Sequence, residues 1–394
     1  MSLLQINRSL DLKRLRDDGY EISIKAGHLL MANVPYVNAR KEVKRGILVT
    51  DLTLAGDVTA PPASHVVWFI GEQPCHKDGR EIAQIRHDGS TKDLGGGLVA
   101  DRSFSNKPPG GYPDYYEKMT TYATIIANEA AAIEPAATAR TFAAIPSEDD
   151  EESVFHYLDT ASSRAGIAAT ASKLSGLKIG IIGLGGTGAY VLDLVAKCPV
   201  EEIHLWDADA FLQHNAFRAP GAPSLDELRQ RPSKVARLAE VYSRMHRRIF
   251  PHEHHLDVET VADLRGLDCV FICIDRNEPK KVIVESLEAM GTRFIDVGMG
   301  VVLVDEQLIG ILRVTTSTPD KRDHVRGRHR VSFTGDDVVD DYSRNIQIAE
   351  LNAMSAALAV IKWKKMYGFY QDLEHEHHST YSINVNMMTS EDIP

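Results

Sequence analysis

The residues whose types and spacing could do chemistry lie mostly between positions 178 and 234. An apolar run, Ile179 to Ile182, has the length and composition of a strand buried on both faces, and it passes straight into GLGGTG. Gly183, Gly185, Gly186 and Gly188 remove the Cβ atoms that would keep a phosphate from the backbone. A helix expected over 189–197 follows, and the N–H groups at a helix start are unpaired donors for an anion. The next strand, expected over 202–206, ends in Asp207-Ala-Asp209, where a carboxylate can take the ribose hydroxyls of a nucleotide. A glycine turn with a terminal acid serves oxidoreductases as well as nucleotidyl transferases, so these features alone leave both readings open.

The sequel narrows the choice. Asp207, Asp209, Asn215, Arg218 and Lys234 follow the glycine turn in the order GxGGxG, D-x-D, N-x-x-R, lysine. That order resembles the ThiF-type, ubiquitin-activating-like adenylyltransferases of bacteria, over residues 174–368. The resemblance implies ATP-dependent adenylation of a carboxylate, most often the C-terminus of a ubiquitin-like protein, with release of pyrophosphate. It implies that Gly183 to Gly188 hold phosphates, Asp207 and Asp209 the ribose, and Asn215 with Arg218 the α-phosphate. Lys234 would meet the β and γ phosphates, and Asp275, at the end of FICID, would hold Mg²⁺. It also implies a homodimer, in which Arg164, on a helix before the glycine turn, would enter the partner's site; the plain alternative is a surface arginine. The asparagine, arginine and lysine are not part of the NAD(P) pattern. A nucleotide-binding scaffold without turnover has no need of Arg218, Lys234 and Asp275 together.

Ubiquitin-activating enzymes carry a thioester cysteine after the magnesium aspartate, but no cysteine follows Cys273 here. The acyl adenylate would then stop, pass to Cys75, or be taken by an amine or another protein; a peptide or small-molecule carboxylate is an alternative substrate. Cys75 lies between Glu72 and Lys77 in PPASHVVWFIGEQPCHKDG, at the end of an apolar strand, where partial exposure would suit a reactive thiolate. This stretch resembles a distant form of the ubiquitin-conjugating region without its His-Pro-Asn element, and a chance loop cysteine is the competing reading.

The elements that must position these residues form an α/β protein of two domains, the number that 394 residues suggest. Residues 1–134 read as a smaller α+β domain: a helix over 9–17, four runs of antiparallel-strand type (YEISIKAG, HLLMANVPYV, KRGILVTDLTL, HVVWFIG), and a helix over 112–133. That order resembles the ubiquitin-conjugating fold. The Ala, Thr and Pro-rich stretch and acidic run that follow give an expected linker over 135–160. Residues 161–394 read as a Rossmann-like, mostly parallel adenylation domain. Within it are a long amphipathic helix after Arg218 whose basic face 244–248 is solvated, buried core thiols at Cys269 and Cys273, and a polar loop over 316–337. A long apolar helix ends at Gly368, and the resemblance places its equivalent at a dimer interface. His375, His377 and His378 are read as exposed loop residues rather than metal ligands.

The net charge of −11 opposes nonspecific nucleic-acid binding. No apolar run of about 18 residues and no signal-type N-terminus is present, so a cytoplasmic protein without membrane contact is expected. Cys75, Cys198, Cys269 and Cys273 contain no CxxC pair, which argues against both a disulfide framework and a four-thiolate zinc site.

Overall fold

The structure, a computed structural model, describes residues 2–147, 153–274, 277–331, 333 and 346–391. The chain divides into two compact units, Met1–Glu151 and Glu152–Pro394.

In the first unit, Leu12 and Leu15 on the helix Leu10–Asp17 are fully buried. The four expected strand runs form Glu21–Lys25, His28–Val37, Val43–Asp51 and Val66–Ile70, paired antiparallel in that order. Two further strands, Arg102–Ser105 and Arg86–Asp88, extend the sheet to six. Arg86–Asp88 is exposed along its whole length, so no apolar alternation betrays it in the sequence. The helix Tyr115–Ala131 begins where the Asp114 carboxylate accepts the Glu117 N–H at 2.8 Å. Tyr115, Met119, Tyr122 and Ile126 lie at helical spacing and all are buried against Leu29, Tyr36, Leu48 and Phe69 of the sheet. Part of the stretch expected as linker packs on this unit: Ala137 and Ala139 are buried, and the Phe142 N–H donates to the Gly19 carbonyl. The acidic run at 148–152 lies outside the described residues.

The second unit is built on an eight-stranded sheet. Its order is Ile249–His252, Glu202–Trp206, Lys178–Ile182, Cys269–Ile272, Arg293–Val304, Gln307–Ser317, His378–Ser382, Met387–Glu391. The first five are parallel and the last three are added antiparallel. The strand Lys178–Ile182 thus has its successor on one side and a strand from much later in the chain on the other. That is the topological switch point, where a crevice opens beyond the carboxyl ends of the strands. The helices Gly186–Val195 and Ala349–Met366 pack over the sheet; Val191, Leu192, Ala356, Ala359 and Trp363 close one core with Ile179, Ile181 and Phe271. Trp363 and its neighbours are therefore consumed within this unit, leaving Ile361 as an exposed apolar residue on that helix.

Three expectations change. The helix after Arg218 is interrupted: Leu225–Gln230 ends at Arg231, and Lys234–Tyr242 stops before the basic run. His246 is buried and bonded through Nε2 to the Val200 carbonyl at 3.0 Å, because the chain turns there to enter the strand Ile249–His252. The histidines at 375–378 are not all in an exposed loop. His377 and His378 lead into an added strand, where their Nδ1 atoms each meet a threonine hydroxyl, Thr316 and Thr315, at 3.0 Å. Among the described residues, no group of three His, Cys, Asp or Glu side chains is placed to hold a metal, and no helix is long and apolar enough to cross a membrane.

Candidate nucleotide site

The strand Lys178–Ile182 ends at Gly183, whose φ of +86° is a left-handed turn that other residues rarely adopt. The turn folds so tightly onto the helix it starts that a Cβ on Gly188 would lie 1.8 Å from the Gly183 oxygen. At the end of the neighbouring strand, Asp207 is nearly buried and fixes the turn. Its Oδ2 accepts the Leu184 N–H at 2.7 Å and its Oδ1 accepts the Asp209 N–H at 2.9 Å.

Lys234 comes to the same place because Ser233 caps its helix, accepting the Ala236 N–H at 3.1 Å, while the Lys234 N–H donates to the Asp209 carbonyl at 3.0 Å. The lysine Nζ lies 2.7 Å from Asp209 Oδ2 and 3.3 Å from both Asp207 oxygens. A buried ammonium is thereby compensated by one buried and one half-exposed carboxylate.

Asn215 is buried on the short helix Gln213–Ala216, and its Oδ1 accepts the Leu212 N–H at 2.8 Å. Its Nδ2, and Nε of Arg218, are buried with no partner among the described residues. Unmade bonds at buried donors cost about 1–3 kcal/mol each, so an acceptor is expected to complete them. Asn352 links the turn to the long helix: its Oδ1 accepts the Thr187 hydroxyl at 2.8 Å and its Nδ2 donates to the Arg218 carbonyl at 3.3 Å.

Gly183, Gly185, Gly186, Asp207, Asp209, Arg218 and Lys234 line one cleft of about 1420 Å³ at the switch point. Gly185 faces open space, with nothing within 4 Å of where its Cβ would stand. Cys273, expected as a core thiol, also lines the cleft, while Cys269 is fully buried; burial pushes both thiols up to about 12. Asp275 lies outside the described residues. Arg164 is exposed at the end of the helix Thr160–Arg164 and does not line the cleft.

The sequence reading missed Asn352, Lys280 and Arg313, all of which line the cleft. A signal for the last two was present: Asp296 interrupts the apolar run RFIDVG, and a carboxylate in a buried strand demands cationic partners. Lys280 Nζ lies 2.9 Å from its Oδ1 and Arg313 Nη2 2.6 Å from its Oδ2.

Cys75 belongs to the first unit. The partial exposure expected of a reactive thiol is not found: the residue is 2% exposed, its N–H donates to the Val37 carbonyl, and it bridges Val37 and Glu81. Burial first, and then the Glu81 carboxylate, push the thiol above its ordinary value. The β-ladder contacts that hold the Cys75 backbone carry its side chain inward, which a reading of loop composition does not capture.

Sheet order, switch-point cleft and glycine turn together define a Rossmann-like α/β unit with the makings of a nucleotide site. Residues 161–325 match the ThiF family. Residues 10–160 match a family described as a domain of unknown function, DUF6791. The chain matches no curated protein. Among solved structures it is similar to E. coli MccB with MccA-N7isoASN, at 17% identity and a TM-score of 0.47 over 59% of this chain and 69% of that one. E. coli MccB with ATP gives 16% and 0.42 over the same shares, and selenomethionine PaaA 15% and 0.44 over 57% and 76%.

Proposed function

We propose that the second unit uses ATP to adenylate a carboxylate, releasing pyrophosphate. The observation that carries this reading is Arg218, which lines the cleft with Gly185 and Lys234 while its Nε is buried without a partner among the described residues. Asn215, three residues earlier, does not itself line the cleft, though its Nδ2 is likewise unpartnered among the described residues. Those donors and the open glycine fit a polyphosphate: amide and guanidinium N–H groups for phosphate oxygens, and no Cβ in the way. ATP would supply an electrophilic α-phosphorus and a pyrophosphate leaving group. The carboxylate oxygen attacks that phosphorus, the bond to pyrophosphate breaks, and a mixed anhydride results. Charge gathers on phosphate oxygens as the bond breaks, which is where Arg218 and Lys234 contribute. Asp207 keeps Lys234 oriented and braces the turn through the Leu184 N–H. Asp275 is our assignment for Mg²⁺ on sequence order alone.

The C-terminus of a ubiquitin-like protein is the favoured acyl donor, and a homodimer placing Arg164 in the partner's site the favoured assembly; both rest on the order of the motif residues. With Cys75 buried and its thiol held protonated, the reaction is read as ending at the adenylate or on an external acceptor. The test is ATP–pyrophosphate exchange with candidate ubiquitin-like proteins, peptides and small acids. Exchange dependent on one of them, abolished by Asp275→Ala and by Arg218→Ala, is the expected result. ATP binding with no exchange for any carboxylate would make the unit a scaffold instead, and hydride transfer to NAD(P) would move it to another class.

A further inference from the structure

From the Lys280–Asp296–Arg313 cluster we infer a separate carboxylate-recognition subsite, which takes the acid group of the acyl donor; the inference rests on the adenylation reading. Asp296 is completely buried, yet it is bracketed by two cations, so the cluster carries one excess positive charge in the wall of the cleft. A structural ion pair would need one cation; the second leaves donors to spare. Arg313 spends only Nη2 on Asp296, and its Nε and Nη1 have no partner among the described residues. A guanidinium anchored at one corner, with its other N–H groups free, is the geometry that grips a carboxylate in two-point fashion.

The position of the guanidinium is built into the backbone. Arg313 stands opposite Gly298 across the antiparallel pair, and a Cβ on Gly298 would fall 2.4 Å from Nη2 and 2.7 Å from Nε. Any larger residue there would evict the arginine head. Lys280 sits in the first turn of the helix Asn277–Met290, where the helix dipole adds to the attraction for an anion.

Strand order separates this cluster from the phosphate-binding group. Asp207 and Lys234 lie on one side of the strand Lys178–Ile182; Asp296 and Arg313 lie on strands two and three places away on the other. Beyond Arg313 the cleft wall turns apolar, with Val301, Val302, Ile309 and Ile311. An acyl donor has that combination, a carboxylate ending a largely uncharged chain, whereas a triphosphate does not.

The shared chemistry, an oxyanion on a cation fork, could also be a phosphate of the nucleotide, and the experiment separates the two. Calorimetric titrations of the full chain would use a synthetic peptide ending in Gly-Gly with a free carboxylate, the same peptide as its C-terminal amide, ATP, and pyrophosphate. The wild type should prefer acid over amide by about tenfold or more, the loss expected when a charge-assisted pair is removed. Arg313→Gln should erase that preference and leave ATP and pyrophosphate affinities within about twofold, a change too small for a lost phosphate contact. Arg313→Lys keeps the charge on Asp296 and guards against a folding defect; it should retain part of the preference. An equal affinity of the wild type for acid and amide, or weakened ATP or pyrophosphate binding in Arg313→Gln with the preference intact, would overturn the assignment. Failure of the adenylation reading would look different: no ATP–pyrophosphate exchange with any carboxylate, with the acid preference preserved.

Discussion

The Lys234 ammonium and the Asp209 carboxylate are 2.7 Å apart, with the Asp207 oxygens 3.3 Å away on the same nitrogen. The lysine assigned to phosphate is thus tied to the two acids assigned to ribose. Under the proposed function, nucleotide entry exchanges partners: Asp209, the exposed member, turns to the sugar, and the freed Nζ hydrogens turn to phosphate. Lys234→Met should cut ATP–pyrophosphate exchange about 100-fold or more, as loss of one charge-stabilising donor does. It should also cost about 3 kcal/mol of stability by leaving Asp207 buried beside nothing positive. Adding Asp207→Asn should recover stability, read as the denaturant midpoint, without recovering exchange.

Adjacent glycines in the turn should fail in opposite ways. A Cβ at Gly186 would lie 2.1 Å from Asn352 Nδ2, so Gly186→Ala must push the Asn352 side chain aside and break the Thr187–Asn352 contact. A loss of about 1–3 kcal/mol is expected, the usual cost of forcing an atom into a packed interior. Gly185→Ala meets nothing within 4 Å and lines the cleft, so it should cost less than about 1 kcal/mol. Its methyl group instead takes up phosphate space, and ATP affinity should drop about tenfold, one well-placed contact's worth. Thermal melts with and without ATP separate the two: the Gly186 variant melts lower in both, while the Gly185 variant loses the ATP-induced shift.

How much of this was legible in the residues follows from where each signal resides. The strand Lys178–Ile182, the turn and Asp207 could be read because their chemistry is local: apolar run, missing Cβ atoms and a terminal acid are neighbours in sequence. So could four consecutive strands of the six and the covering helix of the first unit, whose periodicity reports directly on which side is buried. Asn352 could not, since its role depends on a helix more than 160 residues from Thr187 coming to rest on the turn. The same holds for Arg313, which looks like any strand arginine until Asp296 and Gly298 are placed beside it. Cys75 misled for a related reason: Pro, Glu and Lys neighbours suggest exposure, but bridges to Val37 and Glu81 decide it.

Acid should weaken the second unit through His377. Burial, with His324 and then Lys362 adding to it, lowers this imidazole from 6.5 to about 4, while its Nδ1 meets the Thr316 hydroxyl. Because the folded group binds its proton less readily than the unfolded one, its contribution is fully present above about 6.5 and is lost as pH falls toward about 4. Denaturant midpoints taken at pH 7.5, 6 and 5 should fall in that order. In His377→Gln the decline should be shallower across this window, and an unchanged slope would assign the acid sensitivity to other groups.

Cys75 offers the sharpest contrast between a reactive and a structural thiol. A transthiolating cysteine must present a thiolate to an incoming adenylate, yet this one is 2% exposed and its Sγ leans toward the Gln73 carbonyl at 3.4 Å. Burial and the Glu81 carboxylate both hold the proton on sulfur. Alkylation of native protein by iodoacetamide at pH 7.5, followed by peptide mass, should modify Cys75 at least about tenfold more slowly than in the urea-unfolded chain, since only exposed thiolate reacts. Cys75→Ala should leave ATP–pyrophosphate exchange unchanged. Wild-type protein incubated with ATP and an exchange-active acyl donor should show no conjugate that dithiothreitol removes. A reducible conjugate lost in Cys75→Ala would mean that the Val37 and Glu81 bridges open in solution, and would return the thiol to the reaction.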